Sequence, residues 1–260
     1  MPSTVARRQR GLARLHRMGH TAACAASGRQ TVAIVLYDLV GRDRRCFSPH
    51  CWRTRMALAH KGLEVEVRPV RFTEIPSIGD GACKTVPAIE ADGRLSVDSW
   101  AIARWLEEAY PDRPSLFGGP AGLAYARFVQ GFCVSVLHPG LISLILLDIF
   151  EHLAPEDQAY FRTTREQRFK RPLEEVQAGR EERVGGFRAA LQPVRLTLQE
   201  QPFLGGEAPL YPDYLLFGVF QWARVMSPFR LLADDDPIRA WFARCLDLHG
   251  GLGRAAAGYD

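Results

Sequence analysis

Residues 31–62 read TVAIVLYDLVGRDRRCFSPHCWRTRMALAHKG, a short apolar run, a charged loop and a capped helix in immediate succession. Thr31–Leu39 is β-rich and long enough for a buried strand. Ser48-Pro49 then opens a stretch from His50 to Lys61 that closes at Gly62. A serine at the cap supplies a side-chain acceptor, a proline at the first helical position sacrifices no hydrogen bond, and a glycine past the end lets the chain turn out of the helix. Glu64–Val70 alternates, with Val65 and Val67 expected inward and Glu64, Glu66 and Arg68 outward, which reads as a second strand. A strand, a helix and a strand in so short a span form a βαβ unit with parallel strands.

After an irregular segment, Arg71–Lys84, two short strands are expected within Thr85–Val97 around Asp92-Gly93, the dipeptide that tight hairpin turns favour. Asp98-Ser99 caps a further helix, whose Ile102, Trp105, Leu106 and Ala109 fall on one face and which Pro111 stops. The order β-α-β then β-β-α is the thioredoxin-like arrangement. Beyond Pro120 strand signals vanish, and Ala121–Phe150, Pro155–Arg183, Gly186–Gln201, Asp213–Arg224 and Pro237–His249 all suit helices. The expected organisation is a basic leader at 1–30, a thioredoxin-like α/β domain at 31–111, a Pro/Gly-rich linker at 112–120 and an all-helical domain at 121–254.

The chain has 260 residues and a net charge of +4, but residues 1–30 carry six arginines and no acid. The other 230 residues hold 27 basic against 29 acidic side chains. A body so near neutrality lacks the clustered positive charge that nucleic-acid binding requires. The leader reads either as an organellar transit peptide or as an upstream extension of a chain that starts at Met18. Six cysteines without a CxxC pair or a regular framework point to reduced thiols and a cytoplasmic setting. The most apolar run, Phe132–Phe150, is interrupted by His138, Pro139, Gly140 and Asp148, so a buried helix is expected there rather than a membrane span. No Walker loop, HExxH or GxSxG spacing occurs, and no metal is expected.

Three short elements carry the chemistry. Ser48-Pro49-His50-Cys51-Trp52-Arg53 occupies the strand-to-helix junction where thioredoxin-like folds place a reactive thiol pair. Here the leading position is serine, so the thiol must come from a ligand, and the helix N-terminus favours its thiolate. Thr85-Val86-Pro87 stands where such folds keep a cis proline, offering the Val86 backbone to an extended peptide. Asp98-Ser99 offers a hydroxyl, backbone donors and a carboxylate to the amino-acid end of that ligand. A thiol, a peptide-like middle and an amino-acid end together describe glutathione.

In this order and spacing the residues resemble the glutathione S-transferase superfamily. Ser48–Thr54 (SPHCWRT), Leu173–Arg183 (LEEVQAGREER), Asp235–Trp241 (DDPIRAW) and Gly250–Arg254 (GGLGR) are further similar to the bacterial glutathione-dependent β-aryl etherases of lignin breakdown. The resemblance implies glutathione as co-substrate, a small aromatic electrophile as acceptor, and a homodimer. It also implies that Ser48 donates a hydrogen bond to the glutathione sulfur, and that Asp98 and Ser99 hold the γ-glutamyl end. Val86 would hold the cysteinyl backbone, with Thr85 and Pro87 also in the glutathione site, and Lys84 or Arg71 would meet the glycyl carboxylate. The implied acceptor pocket draws on His50, Phe128 and Phe132. Two alternatives stand beside this reading, a zeta-like glutathione-dependent isomerase and a non-catalytic glutathione- or aromatic-ligand-binding protein.

The chain departs from the superfamily's pattern in two places. Its sixth-helix signal keeps Asp213 but has Leu210 at the cap and Pro212 between them, and the zeta-class Ser-Ser-Cys triplet is broken by Pro49 and His50. Several bland readings also compete. Cys51 is expected to be packed, Cys46 offers an alternative thiol, and the Phe128, Phe132 and Val136 stripe suits core packing as well as an acceptor pocket. The charge run Glu166–Arg183 reads as a solvated helix face.

Overall fold

The structure, a computed structural model, describes residues 34–81 and 83–259. The leader and the first residues of the Thr31–Leu39 run lie outside the described residues. A four-stranded mixed sheet forms from β1 (Ile34–Leu39), β2 (Val65–Val70), β3 (Ala88–Ala91) and β4 (Arg94–Val97), in the order β2-β1-β3-β4. The β1–β2 pair is parallel across α1 (Pro49–His60), and β3–β4 is an antiparallel hairpin. Asp92 and Gly93 both take positive φ, 53° and 69°, which is what a two-residue turn matched to strand twist needs. A 3-10 turn at Phe72–Ser77 fills the irregular segment, and α2 (Ser99–Ala109) closes a thioredoxin-like domain. One expectation fails: β2 is an edge strand and leaves Val67 exposed, since only one neighbour and one partly covered face remain to it.

From Pro120 onward every regular element among the described residues is a helix, apart from an isolated bridge between Phe203 and Gly206. The expected single helix at 121–150 is realised as α3 (Pro120–Phe132) and α4 (His138–Glu151), joined without a break by a π-helical turn at Cys133–Leu137. The resulting 32-residue helix is, by length and composition, apolar enough to cross a membrane, contrary to the reading from its interruptions. Core helices of soluble folds pass the same test, and α4 buries Leu141, Ile145 and Ile149 in the protein core. The expected Pro155–Arg183 helix is divided into α5 (Pro155–Phe169), α6 (Leu173–Gln177) and α7 (Arg180–Ala190). Lys170 breaks the first by turning left-handed, and Pro172 and Gly179 bound the second.

The chain continues through α8 (Gln192–Glu200), α9 (Tyr211–Met226) and α10 (Pro237–Gly251). Every residue of α9 except Arg224 is buried, so this helix is the axis around which the molecule packs. Leu210 has no side-chain oxygen to cap it. Asp213 substitutes, accepting from the backbone N–H groups of Leu204, Gly205 and Leu210 and from Trp241 Nε1 at 2.7–3.0 Å. The weakened sequence signal is thus compensated by one buried carboxylate.

The charge run at 166–183 is only partly solvated. Gln177 and Arg180 converge on the buried Asp148 of α4 at 2.9 and 2.6 Å, and Ser227 donates to the same carboxylate. Arg183 donates to the carbonyls of Ser143, Val176 and Ala178. Gln177, Arg180 and Arg183 of LEEVQAGREER therefore staple the α6–α7 corner to α4, while Glu174 pairs with Arg162 of α5 at 2.8 Å. GGLGR serves similarly at the other end: the Gly253 carbonyl accepts from Gln221, and a Cβ there would meet the Phe217 ring at 2.7 Å.

Candidate active site

Sheet register puts the three expected elements at one place. Tyr37, near the end of β1, pairs with Ala88 at the start of β3, and Ala88 pairs with Val97 at the end of β4. Ser48 follows β1, Val86-Pro87 precedes β3 and Asp98-Ser99 follows β4, so all three stand at the same edge of the sheet. This is also the carboxyl edge of its parallel pair, where α/β sheets bind ligands.

Ser48 is the N-cap of α1, and its Oγ accepts from the Cys51 N–H at 3.4 Å. A hydroxyl that accepts still has its own proton to give. Ser48 itself is only 5% exposed, so a hydrogen bond donated by it meets little competition from water. The Val86-Pro87 peptide is cis, and the Pro87 carbonyl accepts from the Asp98 N–H at 3.3 Å, joining the second and third elements.

Asp98 is held at φ +81°, a region that non-glycine residues rarely enter and that cap residues at functional sites occupy under constraint. Its Oδ1 accepts from the N–H groups of Trp100 and Ala101 at 3.0 and 2.9 Å. Its Oδ2 has no partner among the described residues. Ser99 is buried, and its carbonyl accepts from the Tyr211 hydroxyl at 2.8 Å, which ties the start of α2 to α9.

Lys84 and Thr85 are exposed beside this edge. Arg71, the other cation considered for a carboxylate, is already engaged by Glu74 at 2.7 Å and Glu156 at 3.3 Å. Cys51 is fully buried, and burial, with Asp38 nearby, pushes its thiol well up, so it is a packed residue. Burial and then Asp38 also push the Cys46 thiol up to about 12, which removes the thiolate that an alternative nucleophile would need.

The expected acceptor residues differ in burial. His50 is half-buried in the first turn of α1, and Phe132 packs partly against the core. Phe128 is 72% exposed and Val136 is also exposed, so the helical stripe does not pack as core. The π-helical turn interrupts its spacing, because α periodicity between Phe132 and Val136 no longer holds there. A cavity of about 420 Å3 opens elsewhere, between α9, α10 and the 227–232 loop, and none of the expected site residues lines it.

One group was not legible in the sequence. Arg53 of α1 is fully buried and donates to His50 Nδ1 at 3.1 Å and to His138 Nε2 of α4 at 2.9 Å. The two imidazoles lie edge-on, 5.1 Å apart, and Trp222 of α9 stands 6.0 Å beyond His138. Burial, reinforced by the Arg53 charge, holds His50 well below the usual histidine range and His138 at about 3. The only sequence signal was an arginine on the apolar face of α1, flanked by Trp52 and Met56, with no acid at helical spacing.

Comparison with known proteins agrees with this fold. Residues 47–109 match the family Glutathione S-transferase, N-terminal domain, and residues 124–248 match Glutathione S-transferase, C-terminal domain. The chain is similar to a glutathione transferase from Phanerochaete chrysosporium, with 32% identity, 85% of this chain and 93% of that one covered, and a TM-score of 0.67. It is similar to a glutathione S-transferase of Ceriporiopsis subvermispora solved in complex with glutathione, with 26% identity, 84% and 96% covered, and a TM-score of 0.71. Mouse maleylacetoacetate isomerase is 31% identical over 119 residues, which span 41% of this chain and about half, 51%, of that protein.

Proposed function

The chain belongs to the glutathione S-transferase family, and on that premise we propose that it activates the glutathione thiol at Ser48 for attack on a hydrophobic aromatic electrophile. The observation that carries this is the Ser48 hydroxyl at the N-cap of α1, at the sheet edge shared by Val86-Pro87 and Asp98-Ser99. Glutathione laid along that edge would pair its cysteinyl backbone with Val86 and its γ-glutamyl ammonium with Asp98 Oδ2. Its glycyl carboxylate would face Lys84. The serine hydrogen bond and the helix N-terminus would together lower the thiol from about 8.5 toward neutrality. Each unit corresponds to ~1.4 kcal/mol, within the range of one charge-assisted hydrogen bond.

For the acceptor we propose a β-aryl ether ketone, on the likeness of LEEVQAGREER, DDPIRAW and GGLGR to β-aryl etherase segments. The thiolate attacks the carbon next to the carbonyl, a carbon–sulfur bond forms, and the carbon–oxygen bond breaks to release a phenolate. A phenol near pKa 10 leaves without a strong general acid. The partial match to maleylacetoacetate isomerases favours a second reading, in which glutathione adds to and leaves from a cis-enediolic acid without being consumed.

The test supplies glutathione and a racemic β-aryl ether ketone and follows phenol release. The expected result is release that requires glutathione, consumes one enantiomer and falls at least a hundredfold in Ser48→Ala while glutathione still binds. Equal turnover by Ser48→Ala would remove the serine from the mechanism. Isomerisation without glutathione consumption would select the second reading.

A further inference from the structure

Arg53 is fully buried and forms no ion pair among the described residues. The groups facing it are neutral: His50, His138, the Cys133 thiol, which burial raises to about 11, and the Tyr211 phenol, which burial also raises. A buried cation without a counter-charge is costly, and the fold supplies no carboxylate to relieve it.

An arginine can only donate, so His50 Nδ1 and His138 Nε2 must both accept. That fixes the tautomers. His50 carries its proton on Nε2 and His138 on Nδ1, and neither N–H has a partner among the described residues. Two further donors in the cluster are buried and unpaired, Arg53 Nε and Trp222 Nε1. Two partly exposed imidazole N–H groups and two buried, unpaired donors surround one buried positive charge, with no free acceptor among them, the complement of an anionic oxygen. Buried donors are ordinarily satisfied, so the two that are not, Arg53 Nε and Trp222 Nε1, indicate a missing partner.

The cluster adjoins the thiol site, since His50 is two residues beyond Ser48 on the same helix turn, and His138 reaches it from α4 across the π-helical turn. We propose that His50, His138 and Trp222, with Arg53 behind them, form an acceptor subsite for a carboxylate, so that the preferred electrophile is an acidic aromatic compound. This rests on the transferase reading of Ser48 and narrows the class of acceptor it serves.

The test compares 4-chloro-3,5-dinitrobenzoate with its methyl ester, each rate divided by that of its uncatalysed reaction with glutathione. In parallel, calorimetry compares the binding of S-(4-carboxybenzyl)glutathione with that of its methyl ester. The expected result is at least a tenfold preference for the acid in both measurements. Trp222→Phe removes an N–H that pairs with nothing in the free protein, and should cut that preference severalfold. His138→Phe should abolish it, and His138→Gln, which can accept from arginine and still donate, should restore most of it.

Equal handling of acid and ester by the parent protein would overturn the proposal. So would a Trp222→Phe variant that keeps the full preference, or one that shifts only the 240 nm titration of the bound glutathione thiol. Retained binding preference without turnover of either probe would sustain the subsite and instead count against the transferase reading.

Discussion

At the scale of single residues, the site divides into groups whose roles are local and groups whose roles are not. Ser48 and Asp98 were legible because a cap is written in a few consecutive residues, and both side chains accept from the N–H groups of the helix they begin. Arg53 and His138 were not, because they are 85 positions apart and meet only when α1 and α4 pack in the same molecule. The core-packing reading of Phe128 fails for the complementary reason: helical spacing identifies a shared face but not which way that face turns. The tautomers forced by Arg53 are directly observable. Nitrogen-15 NMR of the imidazoles should show His50 and His138 neutral from pH 8 down to pH 5, protonated on Nε2 and Nδ1 respectively. A pair titrating near the ordinary 6.5 would contradict the burial that holds both down.

Among the elements, the contact that places Ser48 is the crossing of α1 and α9. Gly218 lies at its closest point, where a Cβ would stand 2.4 Å from the Pro49 carbonyl oxygen and 3.3 Å from Arg53 Cγ. Trp52 packs edge-on against Phe217 one position earlier, so the helices meet through one large pair and one absent side chain. Gly218→Ala should therefore push the two helices apart, lowering stability by about 1–3 kcal/mol, the usual cost of overpacking. Turnover should fall further than glutathione affinity, because the N-cap shifts while Val86 and Asp98 stay in place. Urea midpoints and the separate kcat and KM for glutathione check both parts. The element boundaries around α5–α7 were the least legible, since Lys170 and Gly179 turn the chain left-handed inside a run whose charges suit one long helix.

For the whole molecule, the neutral histidines make acid a denaturant well before carboxylates titrate. His50 and His138 bind no proton in the folded state near pH 5, whereas in the unfolded chain they do so below about 6.5. The unfolded state then holds more protons, and stability falls as pH falls through 6.5, by about 2 kcal/mol per histidine between pH 6.5 and 5. His60 and the more exposed His249 are also held down by burial and add smaller, solvent-screened contributions. Urea midpoints at pH 7, 6 and 5 should drop steeply, and His138→Gln should flatten that dependence. The succession of strands along the chain and the change from mixed to all-helical structure were readable, because hydrophobic period together with caps and turn residues encodes them. The burial of α9 was not, since its depth depends on both halves of the chain at once. That depth bears on inheritance. Because α9 furnishes the floor on which α1 rests, the sheet-bearing half is not an interchangeable module. A chimera joining it to a relative's helical half would be viable only where the incoming helix offers the same notch at the Gly218 position.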